Sequence, residues 1–177
     1  MKPYFRKKFI IPFLVAVFII FSSIVGFFFI NKTRALKKVH YHAAFTIFKE
    51  NKKLNFSEFK YMYTKPCNLN EKEEEEHEDE QLEKAHLHDN VGDVVHVERE
   101  SARWIDLFKN IKYPVDYGRV KGYINGEKVE NWEDQDIHPY DNLAIFIGEN
   151  NISEELKLTP TKEYIQEMGQ KSKTCGD

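Results

Sequence analysis

The sequence predicts an α+β domain of modest size behind an N-terminal transmembrane helix, and three observations lead there. An uncharged apolar run fills positions 9–30. After it, short segments alternate apolar and polar residues with the period of a half-buried strand, while one segment near 101–111 repeats its apolar residues at helical spacing. The chain of 177 residues accordingly divides into a basic head and anchor (1–36), a histidine-rich, β-rich domain with one main helix (37–158) and a C-terminal tail (159–177).

From Phe9 to Ile30 there is no charged residue. At ~1.5 Å per residue, roughly 22 helical residues cover the ~30 Å hydrocarbon layer. Ser22 and Ser23 lie within the run and Phe27, Phe28, Phe29 and Ile30 follow them. A cleavable signal peptide is shorter and ends in small residues, so this segment is expected to stay as an anchor. Lys2, Arg6, Lys7 and Lys8 precede it, and Lys32, Arg34, Lys37 and Lys38 follow. The positive-inside comparison is nearly balanced. A short basic head is simple to retain, and large domains translocate largely regardless of charge, so the N-terminus is expected in the cytoplasm and the domain outside it. The expected partner is the membrane, through 9–30, together with a membrane protein.

About 145 residues remain, enough for one domain with a modest core. A net charge of -3 with 31% charged residues and no basic stripe excludes a nucleic-acid surface. Cys67 and Cys175 are the two cysteines. In an oxidising compartment they can pair; otherwise they are separate thiols.

Val39–Phe48 alternates Val39, Tyr41, Ala43, Phe45 and Ile47 with His40, His42, Ala44, Thr46 and Phe48, which predicts a half-buried strand. Glu50–Lys53 reads as its turn and Leu54–Phe56 as the returning strand. The acidic stretch 70–84 repels itself and is expected as a solvated loop, with an exposed helical turn as the alternative, without the spacing of a calcium-binding hand. His86–His88, the turn 89–93 and Val94–Glu98 predict a second hairpin. Ser101 is placed to cap a helix carrying Trp104, Ile105, Leu107, Phe108 and Ile111. Arg119–Ile124, the Asn125–Gly126 type I′ turn, Lys128–Val129 and Leu143–Ile147 supply the closing strands. A short helix fits 161–168.

Five of the seven histidines are clustered: His40 and His42, His86 and His88, and His96. Alternate residues of a strand share a face, so each His-x-His pair aims two imidazoles in one direction, and the second hairpin brings His86 or His88 opposite His96. Imidazoles gathered with the carboxylates Asp89 and Glu98 are what a transition metal of the zinc or copper class requires. His77, within the glutamate block, reads as solvated. His138, before Pro139, reads as a loop residue.

Two resemblances add to this. Tyr123-Ile124-Asn125-Gly126-Glu127-Lys128-Val129 and Tyr140–Phe146 are similar to the closing strands of ubiquitin-like sulfur carriers, which implies a β-grasp layout; the chain lacks their Gly-Gly terminus, so sulfur carriage is excluded. The set His40-x-His42, His86-x-His88-Asp89 and Val95-His96-Val97-Glu98 resembles uncharacterised prokaryotic proteins with one anchor and a small histidine-rich extracytoplasmic domain. That resemblance implies a shared constellation of His40, His42, His86, His88 and His96 with Asp89 and Glu98 nearby. It names no metal and no activity.

Three functional classes follow. The first is a metal-binding domain acting as sensor, chaperone or scavenger. The second is a structural or interaction module of a membrane complex, with the histidines in a polar network. The third and weakest is a metal-dependent hydrolase, for which no nucleophile elbow, zincin helix or phosphate loop is present.

Overall fold

The computed structural model describes residues 37–63 and 80–171. The chain separates into two units, 1–35 and 36–177, and all described residues belong to the second. The expected anchor, Cys67, His77 and Cys175 lie outside them. Among the described residues no helix is long and apolar enough to cross a membrane.

The architecture is α+β, built on a mixed sheet. Strand β1 (Lys38–Lys49) occupies its centre. It turns through Glu50 and Asn51, with φ of 50° and 62°, into the two-residue β2 (Lys52–Lys53). The expected returning strand at Leu54–Phe56 is not formed. Leu54 N–H still donates to the Ile47 carbonyl at 2.9 Å, but Asn55 Oδ1 then accepts the Ser57 N–H at 2.9 Å and bends the chain away. Phe56 is thereby sent into the core against Phe45 and Tyr113.

The end of the acidic stretch is a helix, α1 (Glu80–Lys84), rather than a loop. The reason is Glu83, whose carboxylate Oε2 accepts both Arg99 Nε and Nη2 at 2.6 Å in a buried ion pair. Strand β3 (Val94–Arg99) carries Arg99 and runs antiparallel along the first part of β1. Opposite it, His86–His88 makes one bridge, His86 with His96, and not the full ladder of a hairpin. Leu87 is engaged on its other side, accepting the Tyr63 N–H at 2.7 Å.

Helix α2 (Trp104–Asn110) starts two residues later than Ser101 would place it. Ser101 sits in a left-handed turn with φ of 59°. Arg103 is the N-cap residue, and its N–H is taken by the Asp106 carboxylate at 3.0 Å. Strand β4 (Val120–Ile124) pairs with β5 (Glu127–Val129) across Asn125 and Gly126, whose φ values of 54° and 83° are those of the expected type I′ turn. Strand β6 (Asn142–Ile147) lies parallel to β1 and antiparallel to β4. The sheet order is β2-β1-β6-β4-β5, with β3 beside β1.

Two short α-helices follow to the end of the described residues, α3 (Ile152–Glu155) and α4 (Lys162–Lys171). The ten residues of α4 exceed the seven of α2, so the single main helix expected from the sequence has a second, longer companion. Thr161 Oγ1 accepts the Tyr164 N–H at 3.3 Å and caps α4.

Alternation along β1 assigns the two faces. Ala43, Phe45 and Ile47 join Val95, Val97, Leu143 and Ile145 in the main core, against Trp104, Leu107, Phe108 and Ile111. The other face is covered in patches: Ala44 and Val94 by Ile165 of α4, and Phe48 and Phe146 by Ile152 and Leu156. Next to the α4 patch, toward the start of β1, this second face carries the histidines.

Candidate metal centre

Pairing register explains how histidines distant in sequence meet. His42 is opposite His96 between β1 and β3. Phe45 N–H donates to Asp93 O at 3.1 Å, and counting back along this antiparallel ladder makes His42 and His96 a non-hydrogen-bonded pair, the closer kind for side chains. On the other side of β3, His86 and His96 exchange backbone bonds of 3.0 and 2.9 Å. Directly opposed residues point to one face, and so do residues two apart on a strand. Register places His42, His96 and His86 together on the face opposite the main core; His40 lies where the register of β1 shifts and His88 lies past the bridge, and ring contacts with His42, His86 and His96 bring both into the same cluster.

His96 is the hub. Its ring centroid lies 4.6 Å from His40, 4.8 Å from His42, 5.0 Å from His86 and 4.6 Å from His88. Two groups of three each offer ring nitrogens within 4.8 Å of one another: His86, His88 and His96, and His40, His42 and His96. His86 is only 4% exposed and His96 9%, whereas His40 is open to solvent. The pocket thus has a buried floor and one accessible side.

Hydrogen bonds fix the tautomers of the first group. His86 Nδ1 is 3.0 Å from the Leu82 carbonyl, which can only accept, so Nδ1 carries the proton and Nε2 the lone pair. His88 Nδ1 donates in the same manner to Asp89 Oδ2 at 2.6 Å. His88 Nε2 then faces His96 Nδ1 in direct contact. Imidazoles held at one nitrogen by a carbonyl or a carboxylate, with the other presented to a common point, are the usual arrangement behind a metal ion.

Asp89 and Glu98 are not members of either group of three. Asp89 orients His88, and Glu98 Oε1 stands 3.8 Å from His96 Nε2. His138 is separate from the cluster, its Nδ1 3.2 Å from Asp141 Oδ2 at an exposed loop.

The electrostatics favour neutral rings. Burial, then the neighbouring His40 and His88, pushes His42 down to about 4. Burial, then His86, His88, His42 and His40, pushes His96 down to about 2. Both are neutral bases near pH 7, the form a metal binds. His42 Nε2 and His96 Nε2 are buried with no hydrogen-bond partner among the described residues. Buried polar atoms of this kind are uncommon and ask for an explanation.

Helix α4 contributes two residues that the histidine pattern does not reveal. Met168 lines a cavity of about 10 Å³ together with His42, His88, Val91 and Val94. Gly169 lets the helix approach His42, since a Cβ there would sit 2.7 Å from His42 Nδ1. Glycine inside a helix costs about 1 kcal/mol relative to alanine, and that cost was the available signal of a close approach. Gly169→Ala is expected to destabilise the protein by about 1–3 kcal/mol through overpacking. Thermal denaturation checks this, and an unchanged or raised midpoint would mean that α4 is not seated on the histidines.

Comparison of the chain with family models, with curated proteins and with solved structures found no match.

Proposed function

We propose that this domain binds a transition metal ion of the zinc or copper class, with His86, His88 and His96 as ligands. The observation that carries the reading is the pair of oriented rings, His86 on the Leu82 carbonyl and His88 on Asp89, converging on a buried neutral His96. Three imidazoles form a ligand set suited to zinc or copper. The adjoining cavity, about 10 Å³, is near the lower limit for one water molecule.

In the same reading, residues 9–30 anchor the chain as a single pass, with the N-terminus in the cytoplasm and this domain outside it, beside a membrane-protein partner. The strand order, the central parallel pair of β1 and β6, and the packing of α2 side chains in the same core as the sheet support a β-grasp assignment for the framework. The histidine signature supports kinship with the anchored, histidine-rich prokaryotic proteins that it resembles.

Thermal melting of the full chain, purified without a histidine tag, tests the binding reading. Zinc or copper is expected to raise the midpoint and a chelator to reverse the rise, because a ligand held only by the folded state stabilises it. Melting indifferent to both would leave the histidines as a structural polar network.

Acid sensitivity follows from the same geometry. In the unfolded chain a histidine takes up its proton near pH 6.5, whereas folded His42 waits until about 4 and His96 until about 2. Between these values the unfolded state binds more protons, so stability is fully present above about pH 6.5 and is lost as pH falls, through about 4 for His42 and on toward 2 for His96. Midpoints measured in the absence of metal should drop across that window. A flat profile would place these rings in solvent.

A further inference from the structure

We propose that the cluster holds two metal ions, with His96 bridging them: one ion at His86, His88 and His96 Nδ1, the other at His40, His42 and His96 Nε2. This rests on the metal-binding reading and adds a second position to it. Two groups of three share His96, and one ring atom cannot complete both. His88 Nε2 contacts His96 Nδ1, which assigns that nitrogen to the first group. Nε2 is left for the second. It is buried, has no hydrogen-bond partner among the described residues, and stands 3.8 Å from Glu98 Oε1.

In the neutral ring whose Nδ1–H donates to His88, Nε2 carries a lone pair. A lone pair facing a carboxylate with no proton between them is unfavourable. A cation beside both would reverse its sign. The 3.8 Å separation is within the ~4 Å that two ligand atoms of one ion span at ~2.0–2.2 Å each. His42 adds a second buried nitrogen without a partner, and the exposed His40 gives the position an entrance.

Loading both positions forms a metal–nitrogen bond at each ring nitrogen of His96 and releases its last N–H proton to water. The bridge is then an imidazolate, and the ligand charge it gains, with that of Glu98, offsets the repulsion between the ions.

The test is a titration of the full chain with Cu(II), with Cys67 and Cys175 replaced by Ser, read by bound metal per chain and by electron paramagnetic resonance. Two equivalents are expected, and the signal should fall as the second enters, because copper ions joined by an imidazolate couple antiferromagnetically. His40→Gln, at an exposed position that does not threaten folding, should reduce binding to one equivalent with a full uncoupled signal. One equivalent in the unaltered cluster would overturn the second position and leave the single-ion reading standing. Two equivalents with undiminished signal, or two retained in His40→Gln, would overturn the bridge. No bound copper would overturn both readings.

Discussion

His96→Ala is expected to lower transition-metal affinity by more than about 100-fold, beyond what loss of an outer partner costs, because every ligand group in the cluster includes this ring. The fold should persist. His96 is buried with Nε2 lacking a partner, and an unsatisfied buried polar atom is a liability of about 1–3 kcal/mol in the metal-free protein. Truncation removes that liability while opening a cavity, so the two effects oppose each other. Circular dichroism and denaturant unfolding without metal should therefore change little, while competition against a chelator shows the affinity loss. The polar-network alternative expects the reverse, with stability lost and no dependence on metal.

Glu83→Ala is expected to destabilise the domain by about 3–5 kcal/mol, the usual result of removing one partner from a buried ion pair. Glu83 and Arg99 are 2% and 6% exposed, and Glu83 Oε2 receives two guanidinium nitrogens at 2.6 Å. Losing it leaves the Arg99 charge buried without that carboxylate. The double replacement Glu83→Leu with Arg99→Met should be far less damaging, because both charges leave together. Urea unfolding measures each. The pair also bears on the metal centre, since α1 holds the Leu82 carbonyl that fixes the His86 tautomer. A Glu83→Ala protein as stable as the parent would mean that α1 is not docked through this pair.

Much of this organisation was legible in the sequence where local chemistry dictates geometry. The alternation of β1 assigned His40 and His42 to the face opposite Phe45, and Asn125–Gly126 specified its turn through φ values that only such residues adopt readily. The Asp, Asn and Gly of the intervening turn placed His86 or His88 opposite His96, and the structure selects His86.

What escaped depends on distant partners. Glu80–Lys84 looked like more of the acidic run, because nothing local says that Glu83 meets Arg99. Leu54–Phe56 has strand composition, yet the Asn55 side chain and the burial of Phe56 redirect it. Ser101 is a good cap by type but stands in a left-handed turn, leaving the role to Arg103 with Asp106. The roles of Asp89 and Glu98, beside the imidazoles and outside both groups of three, depend on side-chain placement that spacing alone does not give. Met168 and Gly169 reach the cluster from the far end of the chain, on a helix whose docking depends on Ile165 meeting Ala44 and Val94.

X-ray absorption at the metal edge of the zinc- or copper-loaded full chain tests the convergence of the histidines most directly. The expected first shell is nitrogen, with at least three imidazoles recognisable by multiple scattering from their outer ring atoms, at ~2.0–2.1 Å for zinc. A shell of oxygens, from carboxylates and water, would place the metal elsewhere and contradict the site built around His96.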